Sequence, residues 1–338
     1  MSTEHIRQQQ LLQWINQSTD FECQQLELVS GDASFRRYFR FLSKGQWIIA
    51  VDAPPKVEDC GKFVDVAKAY QAAGLNVPKV YAYDLELGFY CQQDFGEEQF
   101  SQALNSKTCD LLYKNALACI PAIQTCRTTE RGELPLYDHA FVQREVNIFT
   151  QWLLAEYLQL NLSSLQTAML ESSFAFITQV FLSQPMVGVH RDFHSRNLML
   201  LADQSIGVID FQDAVVGPLT YDGVSLLRDC YQRWPAEKVE LWLQEWYQEY
   251  FSEYDFKEFK LWFDITGLQR HIKASGIFAR LFLRDNKITY LYDIPNTLQY
   301  IVEVGREYKE LHALANFVDT IVLPAVLAIQ QNVRHGTQ

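Results

Sequence analysis

The stretch His190-Arg191-Asp192-Phe193-His194-Ser195-Arg196-Asn197 packs ionisable and amide side chains between the apolar runs "MVGV" and "LMLL". Polar groups set into apolar surroundings are costly unless they are satisfied or used. Further on, Ile206, Val208 and Ile209 read as a short strand ending at Asp210, and "LMLL" reads as its antiparallel partner. Antiparallel pairing brings the residue before one strand to the residue after the other, so Asn197 and Asp210 meet at one end of this hairpin. Asp192 lies five residues before Asn197, on the loop that enters the first strand. Asn and Asp oxygens are hard ligands suited to Mg2+. A further carboxylate, not consumed by metal, can orient a hydroxyl and accept its proton. These are the parts phosphoryl transfer needs. Asp192 is therefore the candidate catalytic residue, and Asn197 and Asp210 are the candidate ligands that hold Mg2+ against nucleotide phosphates. A zinc site at His190 and His194 is disfavoured, because the helix and intervening Glu of H-E-x-x-H are missing.

The remaining chain must position these groups. Its 338 residues suffice for one large domain or two lobes around a cleft, and 48% apolar content provides a core. A net charge of -12 excludes a surface that coats nucleic acid. An anionic ligand must then be held by a local pocket or by metal ions. The seven cysteines form no C-x-x-C pair, which predicts reduced thiols in a cytoplasmic protein. The polar N-terminus has no signal-peptide core, and no apolar run is read as long enough to span a bilayer. No membrane, nucleic-acid or protein partner is inferred.

"EHIRQQQLLQWINQ" predicts an N-terminal helix, and residues 23–53 predict a hairpin and a third strand, "QWIIAVDA". A helix over "KVEDCGKFVDVAKAYQAAGL" and two more strands, "KVYAYD" and "GFYCQQDF", follow. Beyond Gly96 helices dominate. The expected architecture is α+β: residues 1–95 form a nucleotide-binding lobe, and residues 96–330 form a helical lobe carrying the catalytic loop and substrate site.

"HRDFHSRN…VIDF" resembles the signature of the aminoglycoside phosphotransferase and choline kinase superfamily, relatives of protein kinases. There the loop is usually H-G-D-x-H-x-x-N, and the metal aspartate stands in I-D-[FW]. Asp192, His194, Asn197 and Asp210 match; Arg191 stands where Gly is usual. The resemblance implies a protein-kinase-like two-lobed fold, with a small antiparallel β-sheet N-lobe and a larger helical C-lobe. It makes His190 and His194 structural supports of the loop. It also implies that the first hairpin, with small Gly31, Ala33 and Ser34, covers the ATP phosphates with backbone N–H groups. The third strand, "WIIAVDAPP", lacks the Lys usual there. Arg36, Arg37 or Arg40 on the preceding strand could substitute. Alternation puts Arg36 and Arg40 on one face and Arg37 on the other, and Arg37 is the expected phosphate cation. Glu58 or Asp59 could pair with it. The connector "YCQQDFGEE" resembles the lobe linker L-L-E-D-L-G, which implies adenine held near Gln92, Gln93 and Phe95.

"GDASFRRYFR", "VQREVNIFTQWLL", "HRDFHSRNLM" and "VIDFQDAVVGPLTYDGVSLLRDCY" are similar to one branch. That branch is the anomeric kinases for N-acetylmuramic acid and N-acetylglucosamine of bacterial cell-wall recycling. It implies a sugar 1-kinase using ATP and Mg2+. Gln212 and Asp213, just past the metal site, are candidate substrate residues. Arg144 and Glu145 are either substrate residues or a surface ion pair on a helix. Lys273, Arg280 and Arg284 share a helical face, read as solvated. Two alternatives stay open: a kinase acting on an aminoglycoside, choline or other small-molecule hydroxyl, and a nucleotide-binding pseudokinase.

Overall fold

Side-chain alternation organises the N-terminal part of the computed structural model, which describes residues 3–30 and 35–336. Strands β1 (Glu27–Ser30), β2 (Arg37–Ser43), β3 (Gln46–Asp52), β4 (Val80–Asp84) and β5 (Phe89–Gln93) form an antiparallel sheet in the order β1-β2-β3-β5-β4. Along β3, Ile48 and Ala50 join the apolar cluster of Leu11, Trp14 and Ile15 from helix α1 (Thr3–Ser18). Ile49 and Val51 point the other way, into the cluster of Phe63, Val66 and Tyr70 from helix α2 (Cys60–Ala72). Residues one apart thus serve opposite faces of a sheet covered on both sides. β2 and β3 are joined through Lys44 (φ 50°) and Gly45 (φ 81°). Two positive φ values are the signature of a tight hairpin whose twist matches its strands.

The rest of the chain is mainly helical. Helices α3 (Phe100–Ala103), α4 (Cys109–Leu117) and α5 (Ile120–Thr125) lead to the small hairpin β6 (Thr128–Thr129) and β7 (Gly132–Glu133). Next come α6 (His139–Ile148) and α7 (Ser164–Ser183). α7 begins with a full capping box, Ser163 and Gln166 each satisfying the other's backbone N–H. The strand island holds β8 (Met186–Val189), β9 (Leu198–Leu200), β10 (Ile206–Val208) and β11 (Val215–Pro218), with β9 paired to β10 and β8 to β11. Helices α8 (Tyr221–Leu227), α9 (Ala236–Tyr250), α10 (Phe256–Asp285), α11 (Ile294–Gly305), α12 (His312–Phe317) and α13 (Leu323–Gly336) complete the larger lobe. The result is the two-lobed, protein-kinase-like α+β fold.

Two sequence expectations about helices α10 to α13 need correction. Of the α10 face that carries Lys273, Arg280 and Arg284, Arg284 is exposed but the Lys273 end is not solvated. α10 runs through the lobe centre with buried residues on every side, and Lys273 is only 6% exposed. The 23-residue run Lys309–Gln331 is, by length and composition alone, long and apolar enough to cross a bilayer. Here Val318, Val322 and Val326, spaced four apart, lie in the core, as a helix packed on the lobe requires.

Two of the contacts between the lobes are an aromatic stack and a surface latch. Phe63 of α2 is stacked between Tyr90 of β5 (4.8 Å between centroids) and Phe211 (4.7 Å), the residue after Asp210. At the surface, Arg131 of the β6–β7 turn pairs with Asp59 (2.9 Å) and Asp65 (2.7 Å), and Lys68 pairs with Glu130 (2.7 Å). The Arg131 guanidinium lies where a side chain at Gly61 would be; a Cβ there would fall 1.9 Å from it. Asp59 also caps α2 by accepting from the Gly61 N–H.

Candidate active site

The β9–β10 hairpin pairs Leu198 with Val208, and the ladder continues one step as the Ile209 N–H donates to the Asn197 carbonyl at 3.1 Å. Asn197 and Asp210 are therefore side by side, with Asn197 Nδ2 donating to Asp210 Oδ2 at 3.3 Å. Asn197 Nδ2 also donates to the Asp192 carbonyl at 3.1 Å. The three groups read from the sequence are brought together. Gln212 Nε2 donates to the other Asp210 oxygen at 3.0 Å, and Asp210 sits at φ 63°.

The loop of residues 190–197 is held from behind. Asp222, at the start of α8, accepts the backbone N–H of His190 (2.7 Å) and of Arg191 (3.0 Å). Asp229 accepts both the N–H (2.9 Å) and the hydroxyl (2.5 Å) of Ser195. Arg270 donates to the Arg191 carbonyl at 3.1 Å. The buried His190 ring bridges the two loops: Nδ1 receives the Asp192 N–H at 3.3 Å, and Nε2 meets the Ile209 carbonyl at 3.0 Å. A carbonyl can only accept, so the proton sits on Nε2. Burial pushes the imidazole down to about 4, which keeps it neutral. His194 packs edge-on against Tyr231, with Nδ1 buried and unpartnered.

Beneath the loop lies a charge network. Glu145, 4% exposed, receives Arg191 (2.7 Å), Gln269 (2.8 Å) and the Tyr137 hydroxyl, with Lys273 Nζ 3.6 Å away. Burial raises the Glu145 carboxyl, but Lys273 and Arg191 more than offset this and hold it below the ordinary range. Glu145 is thus a buried hub and not an open substrate contact. Arg144 is exposed and rests over the Phe141 ring, 5.1 Å from its centroid. Burial likewise works against Asp192, but Lys273, Arg191, His194 and Arg270 hold it at about 2. No protein donor engages the Asp192 carboxylate oxygens among the described residues. The group is ionised and available to a hydroxyl.

A cavity of about 780 Å³ lies between the sheet and this loop. Arg36, Asn197, Asp210, Gln212 and Asp213 line one end; Gln92, Gln93 and Phe95 line the other. Gly31, Ala33 and Ser34 lie outside the described residues. Arg37 is not where it was expected. It faces α1, where it pairs at 2.6 Å with the fully buried Asp52, which Arg7 also engages at 2.5 Å. Arg36 takes the cleft side. Its guanidinium pairs with Glu58 at 3.0 Å and lies 3.7 Å from Asp210 Oδ1. Arg40 ties β2 to the connector through Asp94 (2.6 Å), Glu97 and the Gly96 carbonyl.

The donor set fits a divalent cation. Burial, with Asp192 adding to it, pushes the Asp210 carboxyl up, so its charge is not compensated by the protein alone. The Asn197 side-chain oxygen accepts no hydrogen bond among the described residues. Among those residues, no cluster of three or more His, Cys, Asp or Glu could hold a metal unaided. Phosphate and water oxygens would have to complete the shell.

Sequence reasoning preferred Arg37 to Arg36, read Lys273 as solvated, and missed Asp229 and Arg270. Asp222 had a signal: a lone acid in the apolar run "LTYDGVSLL".

Residues 25–262 match the family described as phosphotransferase enzyme family. The chain belongs to that family. Like its members, this phosphotransferase transfers to a hydroxyl acceptor. It is similar to proteins named N-acetylmuramate/N-acetylglucosamine kinase. The one from Pseudomonas putida is 35% identical over 94% of this chain and 97% of its own. The one from Neisseria meningitidis is 37% identical over 91% and 93%. Among solved structures, an ethanolamine kinase of Plasmodium vivax superposes with a TM-score of 0.60 at 12% identity, covering 81% of each chain. An ADP-bound aminoglycoside phosphotransferase superposes with a TM-score of 0.59 at 15% identity, covering 86% of this chain and 97% of its own. At those identities the likeness is one of fold.

Proposed function

We propose that this phosphotransferase uses ATP and Mg2+ to phosphorylate the anomeric hydroxyl of N-acetylmuramic acid, N-acetylglucosamine or both. The reading is carried by near full-length similarity, at 35–37% identity, to kinases named for those two sugars. A role in cell-wall recycling belongs to the same reading, as does a cytoplasmic site of action, where ATP is at hand and the unpaired cysteines stay reduced.

In this reading Asp192 aligns the acceptor hydroxyl and takes its proton as the bond to phosphorus forms. Its low pKa suits it to orienting the nucleophile early and accepting the proton late. Asn197 and Asp210 would hold Mg2+, which neutralises charge on the phosphate oxygens. Arg36, steadied by Glu58, contributes the cation that β3 lacks. That contribution weighs against a pseudokinase. Gln92, Gln93 and Phe95 would border the adenine.

Phosphorus NMR of the product from each sugar and ATP tests the proposal. A sugar 1-phosphate is expected. Transfer only to an aminoglycoside or to choline would replace it with the corresponding kinase.

A further inference from the structure

Arg191 stands at φ 81°, directly before Asp192. Glycine adopts that left-handed conformation freely, and an arginine is strained in it. Such strain persists where neighbours over-determine it, and it clusters at sites of function. The backbone contacts with Asp222 and Arg270 would hold a glycine equally well, so they do not account for the side chain. The Arg191 side chain reaches Glu145 and lies against the Phe141 ring, 5.0 Å from its centroid. Its Nε is buried without a hydrogen-bond partner.

Arg191 also walls a second, half-open cavity of about 330 Å³, bordered by α2, the β6–β7 hairpin, the start of α6 and residues 212–215. Gln212 and Asp213 line both this cavity and the nucleotide cleft, so the two volumes meet beside Asp210. Its size is at the lower end for ligand pockets, which suits one substituted pyranose and not an oligosaccharide. Lys62, Arg131 and Arg191 on its walls are balanced by Asp65, Glu133 and Asp213. A balanced wall with one aromatic ring suits a polyol carrying an amide better than a polycation, which would call for an acidic excess.

We infer that this second cavity holds the acceptor sugar and that the Arg191 side chain is a specificity-determining contact to it. The inference rests on the amino-sugar kinase reading above. The sugar oxygen lies on the part of the guanidinium that lines the cavity and that Glu145 leaves open. The reacting hydroxyl is then delivered past Arg191 to its neighbour Asp192.

Two variants of the full chain test it, by steady-state kinetics with ATP and each sugar. Arg191→Gly relieves the backbone and deletes the contact. The KM for sugar should rise about tenfold or more while nucleotide affinity holds, the expected result of removing a hydrogen-bonding specificity contact. A role confined to shaping the loop would instead lower kcat and leave the sugar KM in place. The double variant Arg191→Gly/Glu145→Gln is measured beside it, so that an uncovered carboxylate is not mistaken for the effect. Thr129→Trp fills the cavity from the hairpin without touching the loop, and it too should raise the sugar KM and spare nucleotide binding. An unmoved sugar KM in Thr129→Trp, or in a folded Arg191→Gly chain, overturns the inference. Absence of sugar phosphorylation by the unmodified protein overturns the kinase reading beneath it.

Discussion

Asp192 and Asp210 stand on adjoining loops, and burial presses on both, yet their surroundings answer differently. Around Asp192 the protein gathers Lys273, Arg191, His194 and Arg270, and the carboxyl is held at about 2. Around Asp210 the protein offers a glutamine, an asparagine and one arginine at 3.7 Å, and the carboxyl is pushed up. The larger lobe thus compensates one charge internally and leaves the other to be compensated from solution. Under the proposed function, an acidic chain could use a polyanionic substrate on these terms, because the missing positive charge would arrive as an ion where the phosphates lie.

The contrast can be broken most severely at Asp192. Asp192→Ala should lower kcat by roughly 10²–10⁴-fold, while calorimetry with a non-hydrolysable ATP analogue shows nucleotide affinity nearly intact. Asp210→Ala should cost turnover on the order of 100-fold or more and also remove the Mg2+ dependence of nucleotide binding. Equal Mg2+ dependence in the two variants would erase the distinction between the loops. His190, which joins them, gives a pH signature. Its folded pKa of about 4 is below its ordinary 6.5. The unfolded chain therefore takes the proton first. The stability His190 contributes is complete above about pH 6.5 and is lost as pH falls toward 4, in all roughly 3 kcal/mol. Asp222, raised by burial to about 7, works in the opposite sense: its cost grows as pH rises from 3.8 toward 7. The difference between the parent protein and His190→Gln isolates the histidine. Denaturant midpoints should show a shallower acid slope in the variant. The smallest effects sharpen the comparison of neighbouring arginines. Arg36→Ala should raise the KM for ATP about tenfold through loss of one phosphate-side cation. Arg37→Ala should leave that KM alone and cost about 1–3 kcal/mol of stability, because Asp52 loses a charged hydrogen bond.

The sequence made the β9–β10 hairpin legible because polarity changes abruptly at its ends, and antiparallel geometry then dictates that Asn197 meets Asp210. The five strands and α2 were legible for the same reason: short apolar runs punctuated by Gly and Pro. Arg36 and Arg37 show where that logic stops. Alternation assigns them to opposite faces but cannot say which face is the cleft. That is decided by α1, whose Arg7 gives Asp52 a partner on the far side. Lys273 escaped because a helix buried all round has no polar face to mark, so a lone cation on it looks like surface. Asp229 and Arg270 escaped because their partners are backbone groups, which every residue carries. Glu145 was read as facing substrate or solvent, and only the depth of α6 beneath the loop shows that its partners are Arg191, Gln269 and Tyr137.

The Arg131 clasp against Gly61 bears on how the molecule opens. Its ion pair with Asp59 is half exposed and that with Asp65 reaches the surface through Arg131, and surface pairs contribute about 0–1 kcal/mol each. Thermal motion can therefore undo the latch between α2 and the small hairpin many times within one catalytic cycle, while the glycine's bare backbone lets it reseat in the same groove. One added methyl, in Gly61→Ala, would prise the latch open without altering any residue that forms it.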